Sequence, residues 1–235
     1  MATLTRNSRF MDRHQLEFII PRRNPMKPQM KRRGRPVTRQ EVKYVPKRRF
    51  IIEPLRTQQE INRLKDYLYK TNLRNFTILF IGINTNLRAS DLLNLRYGPV
   101  CRAIEEDIAI PITERKTGKR RNLRLNRAAK TALQAYFASR RFQNADELIF
   151  TRADGLPIST AALSSGFKHW CKQADLVGNF ASHTMRKTWA YHHHKNGASI
   201  PTLMAMMNHR SQRQTLDYLC ISAQDEIDEY DRVNL

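Results

Sequence analysis

The longest apolar segment of the chain runs from Phe76 to Ile83, and it limits what the rest can fold into. It is far shorter than the ~20 residues that a helix needs to cross a bilayer. Its composition is that of a buried helix, apolar on nearly every side. Other elements must cover such a helix all round, so the sequence predicts a packed domain with this helix near the centre.

Helical patterns precede and follow this segment. Residues Thr57 to Glu60 have the form of a capping box, and apolar residues follow at helical spacing. Pro201, just after Ser199, supports the start of another helix. The expected helices and their buried residues are: one from Thr57 with Ile61, Leu64 and Leu68; one from about Arg88 with Leu92, Leu93 and Leu95; one after Asn126 with Ala129, Leu133, Tyr136 and Phe137; one over 160–174 with Leu163, Phe167 and Trp170; and three over 182–195, 199–207 and around Tyr218.

One region between these helices favours β-structure. The segments 100–104, 108–113 and 122–125 are short and apolar or alternating, as strands are. A turn at Lys116-Thr117-Gly118-Lys119 separates the last two, which predicts an antiparallel hairpin. The expected fold class is therefore mainly α with a small antiparallel β-sheet.

Charge divides the chain unevenly. The net charge of +21 makes a polyanion the leading partner, ahead of a ribosomal or membrane-surface role. Residues 1–50 carry 15 basic and three acidic side chains, a net of +12, and five of the ten prolines. That composition predicts a basic, extended or disordered arm that binds DNA.

Within the arm, the run from Lys31 to Pro36 resembles the core of an AT-hook. In that motif a glycine lets the backbone approach a narrow minor groove, and flanking arginines lie along its floor. The residues in this position are Arg32, Arg33 and Arg35. The alternative is a generic phosphate-binding tail, and the sequence leaves both open.

Several other classes of protein fit poorly. The first thirty residues lack the apolar stretch of a secretory signal. Three cysteines without paired spacing favour a reducing cytoplasm. His192, His193 and His194 are consecutive, so they point to different sides of a helix, and no spaced cysteine or carboxylate completes a metal site. We expect no metal and no cofactor.

Five features occur in a fixed order along the chain. They are Leu87-Arg88-Ala89-Ser90-Asp91, Lys116 in the hairpin turn, His183-Thr184-Met185-Arg186, Asn208-His209, and Tyr218. This set resembles the Arg, Lys, His-x-x-Arg, His and Tyr residues of the tyrosine recombinase (phage integrase) family. Each feature alone has an ordinary structural reading, but their order and spacing together are specific. The resemblance covers roughly residues 53–222 and implies the catalytic-domain fold of that family.

The chemistry of that family explains these residue types. Two guanidiniums, from Arg88 and Arg186, can stabilise the charge on a phosphodiester in the transition state without a metal. Tyr218 is the expected nucleophile, because a phenolate can leave again when a 5′-hydroxyl attacks. By resemblance, Lys116 protonates the departing 5′-oxygen, with Lys119 as a competitor. His183 and Arg186 are three residues apart and share a helical face. His209 is expected to bind the phosphate, and Asp91 is expected to lie behind Arg88. Three more hairpin residues are expected to contact DNA phosphates: Lys119, Arg120 and Arg121.

The chain departs from the family pattern at two points. Asn86 and Asn208 stand where glycine is usual, and asparagine is the other residue that best tolerates a positive φ. Most members also carry a helical core-binding domain of ~100 residues, and the composition of the fifty residues before the expected catalytic domain does not predict one. We expect either the basic arm or an accessory DNA-bending or clamp protein to replace it.

The expected organisation is an arm (1–50), a catalytic domain (51–222) and an acidic C-terminal tail (223–235). By resemblance, the tail docks on a neighbouring protomer. The expected activity is site-specific recombination of double-stranded DNA by a homotetramer on paired sites, in the cytoplasm and away from membranes. The alternatives are a type IB topoisomerase-like nicking and closing activity, or a DNA-binding regulator without turnover.

Overall fold

A computed structural model describes residues 51–221 and 225–228. Within this part of the chain, helices predominate and the sheet is small. The elements are α1 (Gln58–Thr71), α2 (Leu73–Thr85), α3 (Ala89–Leu93), α4 (Tyr97–Glu105), β1 (Ile110–Thr113), β2 (Arg120–Leu123), α5 (Arg127–Ala138), α6 (Thr160–Gln173), α7 (Ser182–Lys195), α8 (Ile200–Met207) and α9 (Gln212–Leu219).

Helix α2 lies at the centre of the core, as its apolar sequence predicted. It packs against α1, α5 and α7. Its residues Ile78, Leu79 and Ile81 are almost completely buried. Gly82 allows the close approach of α7, because a Cβ there would lie 2.9 Å from the Cβ of Met185. The α2–α7 contact matters for the site, because α7 carries His183 and Arg186.

The predicted capping box at Thr57 and the predicted helix start after Ser199 are confirmed. Thr57 and Glu60 form a reciprocal capping box at the start of α1. Asn126, Ser159 and Ser199 each accept a hydrogen bond from the first turn of α5, α6 and α8. These contacts satisfy backbone N–H groups that a helix cannot pair internally, so they fix where each helix begins.

The β-region was partly misassigned. Residues 100–104, expected as a strand, belong to helix α4, where Val100 and Ala103 are buried at helical spacing. A short apolar run fits the period of a helix as well as the period of a strand, so the sequence alone does not distinguish them. In the structure, residues three apart face the core, as in a helix. The hairpin itself is confirmed, with Ile110 paired to Leu123 and Thr113 to Arg120. Strand β2 ends at Leu123, two residues earlier than predicted. Leu125 lies beyond the strand and is also buried.

A second, smaller apolar cluster positions the last two helices. Trp189 and Ala190 of α7 pack with Leu203 and Met207 of α8 and Leu219 of α9. Helix α9 is thereby held beside α7 and α8, and Tyr218 packs at the edge of the cluster. Among the described residues, no helix is both long and apolar enough to cross a membrane.

Candidate active site

The ends of α2 and α8 lie beside each other and form the floor of the candidate site. Both helices end in an asparagine with left-handed backbone, Asn86 at φ 50° and Asn208 at φ 59°. The expectation that asparagine supports a positive φ at these two positions is confirmed. The Nδ2 atom of Asn86 donates to the carbonyl oxygen of Met206 at 2.9 Å, which joins the two helix ends.

Arg186 is buried between these ends. Its side chain is almost fully enclosed, with 2% exposure. Nη1 donates to the carbonyl of Asn86, and Nη2 donates to the carbonyl of Met207 at 2.8 Å. Burial and the nearby charge of Arg88 lower the pKa of Arg186 to about 10, so it stays cationic at neutral pH. Its Nε is buried and has no hydrogen-bond partner within the described residues.

Arg88, just before α3, pairs with a carboxylate that the sequence analysis missed. Nη1 of Arg88 lies 2.5 Å from Oε2 of Glu114, which is 1% exposed. Burial alone would raise the pKa of Glu114, but hydrogen bonds from Thr117 and Arg88 outweigh it and hold that pKa below its usual value. The only sequence signal was an acidic residue at a strand end, inside an otherwise basic run.

The hairpin turn carries the candidate lysines. Lys116 is exposed in the turn. Nζ of Lys119 donates to Oδ1 of Asn208 at 2.9 Å. Asp91, expected behind Arg88, contacts the hairpin, because its Oδ1 accepts from the backbone N–H of Arg115 at 3.1 Å. The hairpin is thus attached to α3 at one side and to the end of α8 at the other.

Two of the basic residues expected on DNA take different positions. Arg120 is exposed. Arg121 turns inward, where Nη1 donates to Oδ1 of Asn86 and Nη2 to the carbonyl of Thr85. Nε of Arg121 is buried and, within the described residues, has no hydrogen-bond partner. In this structure Arg121 therefore lies in the floor of the site rather than on the outer face of the hairpin.

The two candidate histidines both lie near the ring of Tyr218. His209 is buried, and its Nδ1 is 3.0 Å from Oγ1 of Thr215. Burial and the charges of Arg186 and Arg88 lower the pKa of His209 to about 4. His183 is exposed. Desolvation and the charges of Arg186, Lys116, Lys187 and Arg88 lower its pKa, so both rings are neutral at neutral pH.

Tyr218 closes the group from α9. The centroid of its ring is 5.0 Å from that of His209 and 6.5 Å from that of His183. Cζ of Arg186 lies 5.9 Å from the ring centroid, and Nζ of Lys187 lies 5.5 Å from it. The structure therefore brings together Arg186, both histidines and Tyr218, and Arg88 lies close enough to lower the pKa of Arg186 and of both histidines.

The three consecutive histidines take no part in this group. Nε2 of His192 contacts the carbonyl of Leu55 at 2.9 Å, and His193 stacks on Trp189 with ring centroids 4.0 Å apart. Among the described residues, no cluster of three or more His, Cys, Asp or Glu side chains could hold a metal ion. The three cysteines, Cys101, Cys171 and Cys220, are free thiols.

The expected arm and tail lie mostly beyond the described residues. Arg32, Arg33 and Arg35 all fall outside them. Of the tail, Asp225 is described, and it contacts its own chain: Oδ2 pairs with Arg56 at 2.8 Å, and Oδ1 accepts from Tyr191 at 2.6 Å and pairs with Lys195 at 3.1 Å. Docking of the tail on another protomer stays a prediction.

Solved structures with the same fold are tyrosine recombinases. XerA recombinase aligns with a TM-score of 0.65 and 20% identity over 81% of this chain and 68% of its own. A lambda integrase fragment, solved as a dimer bound to a core site, aligns with a TM-score of 0.60 and 18% identity over 80% of this chain and 65% of its own. The fold is thus that of a tyrosine recombinase catalytic domain.

Sequence comparison identifies the family. Residues 55–224 match the model of the phage integrase family, and the chain belongs to that family, whose members are tyrosine-type site-specific recombinases. The "Probable integrase/recombinase YoeC" of Bacillus subtilis is 27% identical over 73% of this chain and 91% of its own length. Tyrosine recombinase XerC of Pediococcus pentosaceus is 24% identical over 68% of this chain, which spans 56% of XerC.

Proposed function

We propose that the protein cuts and rejoins double-stranded DNA at specific sites through a 3′-phosphotyrosyl intermediate on Tyr218. One observation carries this proposal: the ring of Tyr218 lies within 6.5 Å of both histidine rings and 5.9 Å from Cζ of Arg186, whose buried Nε has no hydrogen-bond partner among the described residues. A phosphodiester oxygen is the acceptor that buried guanidinium donors fit best. The same constellation gives a covalent route that needs neither ATP nor a metal.

In the proposed first step, the Tyr218 oxygen attacks a DNA phosphorus. A bond forms between Tyr218 and phosphorus, and the bond from phosphorus to the 5′-oxygen breaks. The 3′ side of the strand stays on Tyr218 and the other side leaves with a 5′-hydroxyl. In the second step, a 5′-hydroxyl from the partner duplex attacks the phosphotyrosine and releases Tyr218. Because the ester is exchanged twice, no external energy source is required.

Arg88 and Arg186 are the proposed donors to the non-bridging oxygens. Both are held before DNA arrives, Arg186 by two helix-end carbonyls and Arg88 by Glu114. Donors that are already oriented need no reorganisation when charge develops on phosphorus, and this lowers the barrier. The buried Nε of Arg186 is the donor that its carbonyl partners leave open.

The remaining proposed roles are proton transfers. His183, neutral because its pKa is lowered, can accept the proton of Tyr218. His209 is also neutral, and a hydrogen bond from Thr215 to its Nδ1 would leave the proton on Nε2 for a phosphate oxygen. Lys116 then donates to the leaving 5′-oxygen. Its exposure in the turn favours it over Lys119, whose Nζ is bound to Asn208.

The larger arrangement is also proposed. Solved neighbours include a Tn1549 transposon integrase in complex with DNA and XerH bound to its difH substrate, which supports DNA as the substrate here. We infer a catalytic domain over 51–222, a basic DNA-binding arm over 1–50, and a tail over 223–235 that joins protomers. A homotetramer on paired sites, with or without an accessory clamp protein, would act on DNA in the cytoplasm.

A two-substrate assay tests the function. DNA fragments that flank the protein's own gene are screened for covalent capture, and the captured duplex is then supplied as a labelled linear partner and as a supercoiled plasmid. A recombinase joins strands from the two molecules. Relaxation of the plasmid without any joined product would instead identify a topoisomerase-like activity. Binding without a covalent adduct on any duplex would identify a DNA-binding regulator.

A further inference from the structure

Asn86 and Asn208 do more than support a left-handed backbone. Glycine would be enough for a left-handed backbone, because it has no Cβ to strain. In this chain each asparagine also uses its side-chain oxygen, and both oxygens accept from basic residues of the same hairpin. Oδ1 of Asn208 binds Nζ of Lys119 at 2.9 Å, and Oδ1 of Asn86 binds Nη1 of Arg121.

These two bonds lie at the turn end of the hairpin, which the Arg88–Glu114 ion pair and the Asp91–Arg115 hydrogen bond also attach to the domain. Ile110 and Leu123 pair at the end of the hairpin that is buried in the core. At the turn end, Thr113 and Arg120 are paired but exposed, and so is Lys116. A two-stranded ribbon is only marginally stable by itself. Contacts from the body of the domain therefore decide where the turn sits.

The hydrogen bonds from Lys119 and Arg121 to the two asparagines preserve the positive charge that a phosphate-binding site needs. An amide oxygen accepts from a cation without cancelling its charge, whereas a carboxylate would neutralise it. Lys119 and Arg121 can therefore be held in place while the site keeps its positive potential. The anchor points are also rigid, because Asn86 is tied to Met206 at the end of α8 and to Arg186 of α7.

We propose that Asn86 and Asn208 are positioning residues that dock the β1–β2 hairpin on the active site before DNA binds, so that Lys116 is already placed to protonate the leaving oxygen. The inference rests on the proposed function for its role in catalysis. It also assigns the two lysines: Asn208 occupies Lys119, and Lys116 delivers the proton.

The first test is amide hydrogen exchange on the full chain without DNA. The variant Asn86→Gly/Asn208→Gly keeps residues suited to a positive φ and removes only the side-chain bonds. We expect exchange of the hairpin amides, such as those of Glu114 and Gly118, to speed up about tenfold, as the loss of hydrogen bonds to charged groups implies. The amides of α2 and α7 should be unchanged. Equal exchange in the hairpin of variant and wild type would overturn the proposal.

Asn196→Gly is the matched control. Asn196 is also at a helix C-terminus, and its Nδ2 donates to the carbonyl of His192 in its own helix. This bond has no connection to the hairpin. The control should therefore leave hairpin exchange at the wild-type rate. If Asn196→Gly accelerates it as much as the double variant does, the effect is general loosening and the proposal fails.

The second test asks whether the docked hairpin serves proton transfer. The captured duplex is prepared with oxygen or with sulfur at the 5′ bridging position, because a thiolate leaves without a general acid. On the oxygen substrate, the double variant should cleave about tenfold more slowly, a part of the ~100-fold or greater gain that general acids supply. On the sulfur substrate it should match wild type. An equal loss on both substrates would mean that the asparagines do not position the proton donor.

The two kinds of failure are separable. If wild-type protein cleaves neither substrate, the proposed function fails, and hydrogen exchange still decides whether the asparagines dock the hairpin. If wild type cleaves both and the double variant behaves as wild type on both, the function stands and the positioning role is refuted.

Discussion

At the scale of single residues, the site depends on cations that are buried before any substrate is bound. Arg186 has two of its donors on helix-end carbonyls, which carry partial negative charge, and a third donor without a partner in the described chain. Arg88 is held by Glu114. These contacts offset the cost of burying guanidinium groups, and they fix the direction of the donors that remain.

The burial of His209 makes the stability of the protein depend on pH. Burial and the neighbouring arginines lower its pKa to about 4, whereas an unfolded histidine titrates near ~6.5. Between these two values the unfolded chain binds more protons than the folded one, so stability falls as pH drops through this window. We expect this group alone to lower the free energy of unfolding by about 2 kcal/mol between about pH 8 and about pH 5.

Urea unfolding at these two pH values measures the effect. His209→Gln should lose less stability than wild type on acidification, by the amount this histidine contributes. His169→Gln is the control, because His169 is an exposed residue of α6. It should retain the wild-type pH dependence. A His209→Gln variant with the full wild-type loss would show that His209 is not the group responsible.

At the scale of elements, the sequence predicted the helices well and the polar contacts between them poorly. Capping residues and apolar spacing are local signals, and the starts of α1, α5, α6 and α8 follow from them. Residues 100–104 were misread because a short apolar run fits either period. The bonds of Glu114, Asn86 and Asn208 join residues distant in sequence, and no local pattern specifies such partners.

The contact between α2 and α7 gives a prediction about packing. A Cβ at Gly82 would meet Met185, so Gly82→Ala should destabilise the protein by about 1–2 kcal/mol despite the better helix propensity of alanine. Gly166 in α6 is the matched control, since a Cβ there would lie 3.5 Å or more from Trp170. Gly166→Ala should gain about 0.5–1 kcal/mol. Thermal or urea unfolding of both variants checks this, and equal effects would contradict the packing account.

At the scale of the whole molecule, positive charge is concentrated in the first fifty residues. The described residues have the fold of a tyrosine recombinase catalytic domain, and +12 of the net charge of +21 lies in residues 1–50. The composition of this arm predicts that it binds DNA, and its sequence resembles an AT-hook only over a few residues. Its role is therefore a prediction from charge, which salt can test directly.

Deleting residues 1–50 should weaken DNA binding and flatten its dependence on salt, because fewer counterions are then released. We expect the slope of log affinity against log salt to become shallower by about 3 or more. In the full chain, replacing Arg32, Arg33 and Arg35 with Gln should account for about 2–3 of this and remove any preference for A·T-rich duplexes, if the AT-hook reading is right. An unchanged slope after the deletion would refute the idea that the arm grips DNA.

The proposed mechanism requires that Tyr218 becomes covalently joined to a 3′-phosphate of DNA. The direct measurement is a suicide duplex, nicked near the cleavage point so that the 5′ fragment diffuses away, followed by peptide mass spectrometry of the trapped adduct. We expect a nucleotide attached through its 3′-phosphate to the peptide that contains Tyr218, and no adduct from Tyr218→Phe although that variant still binds the duplex. An adduct on another residue, or a wild-type protein that binds but never becomes attached, would contradict it.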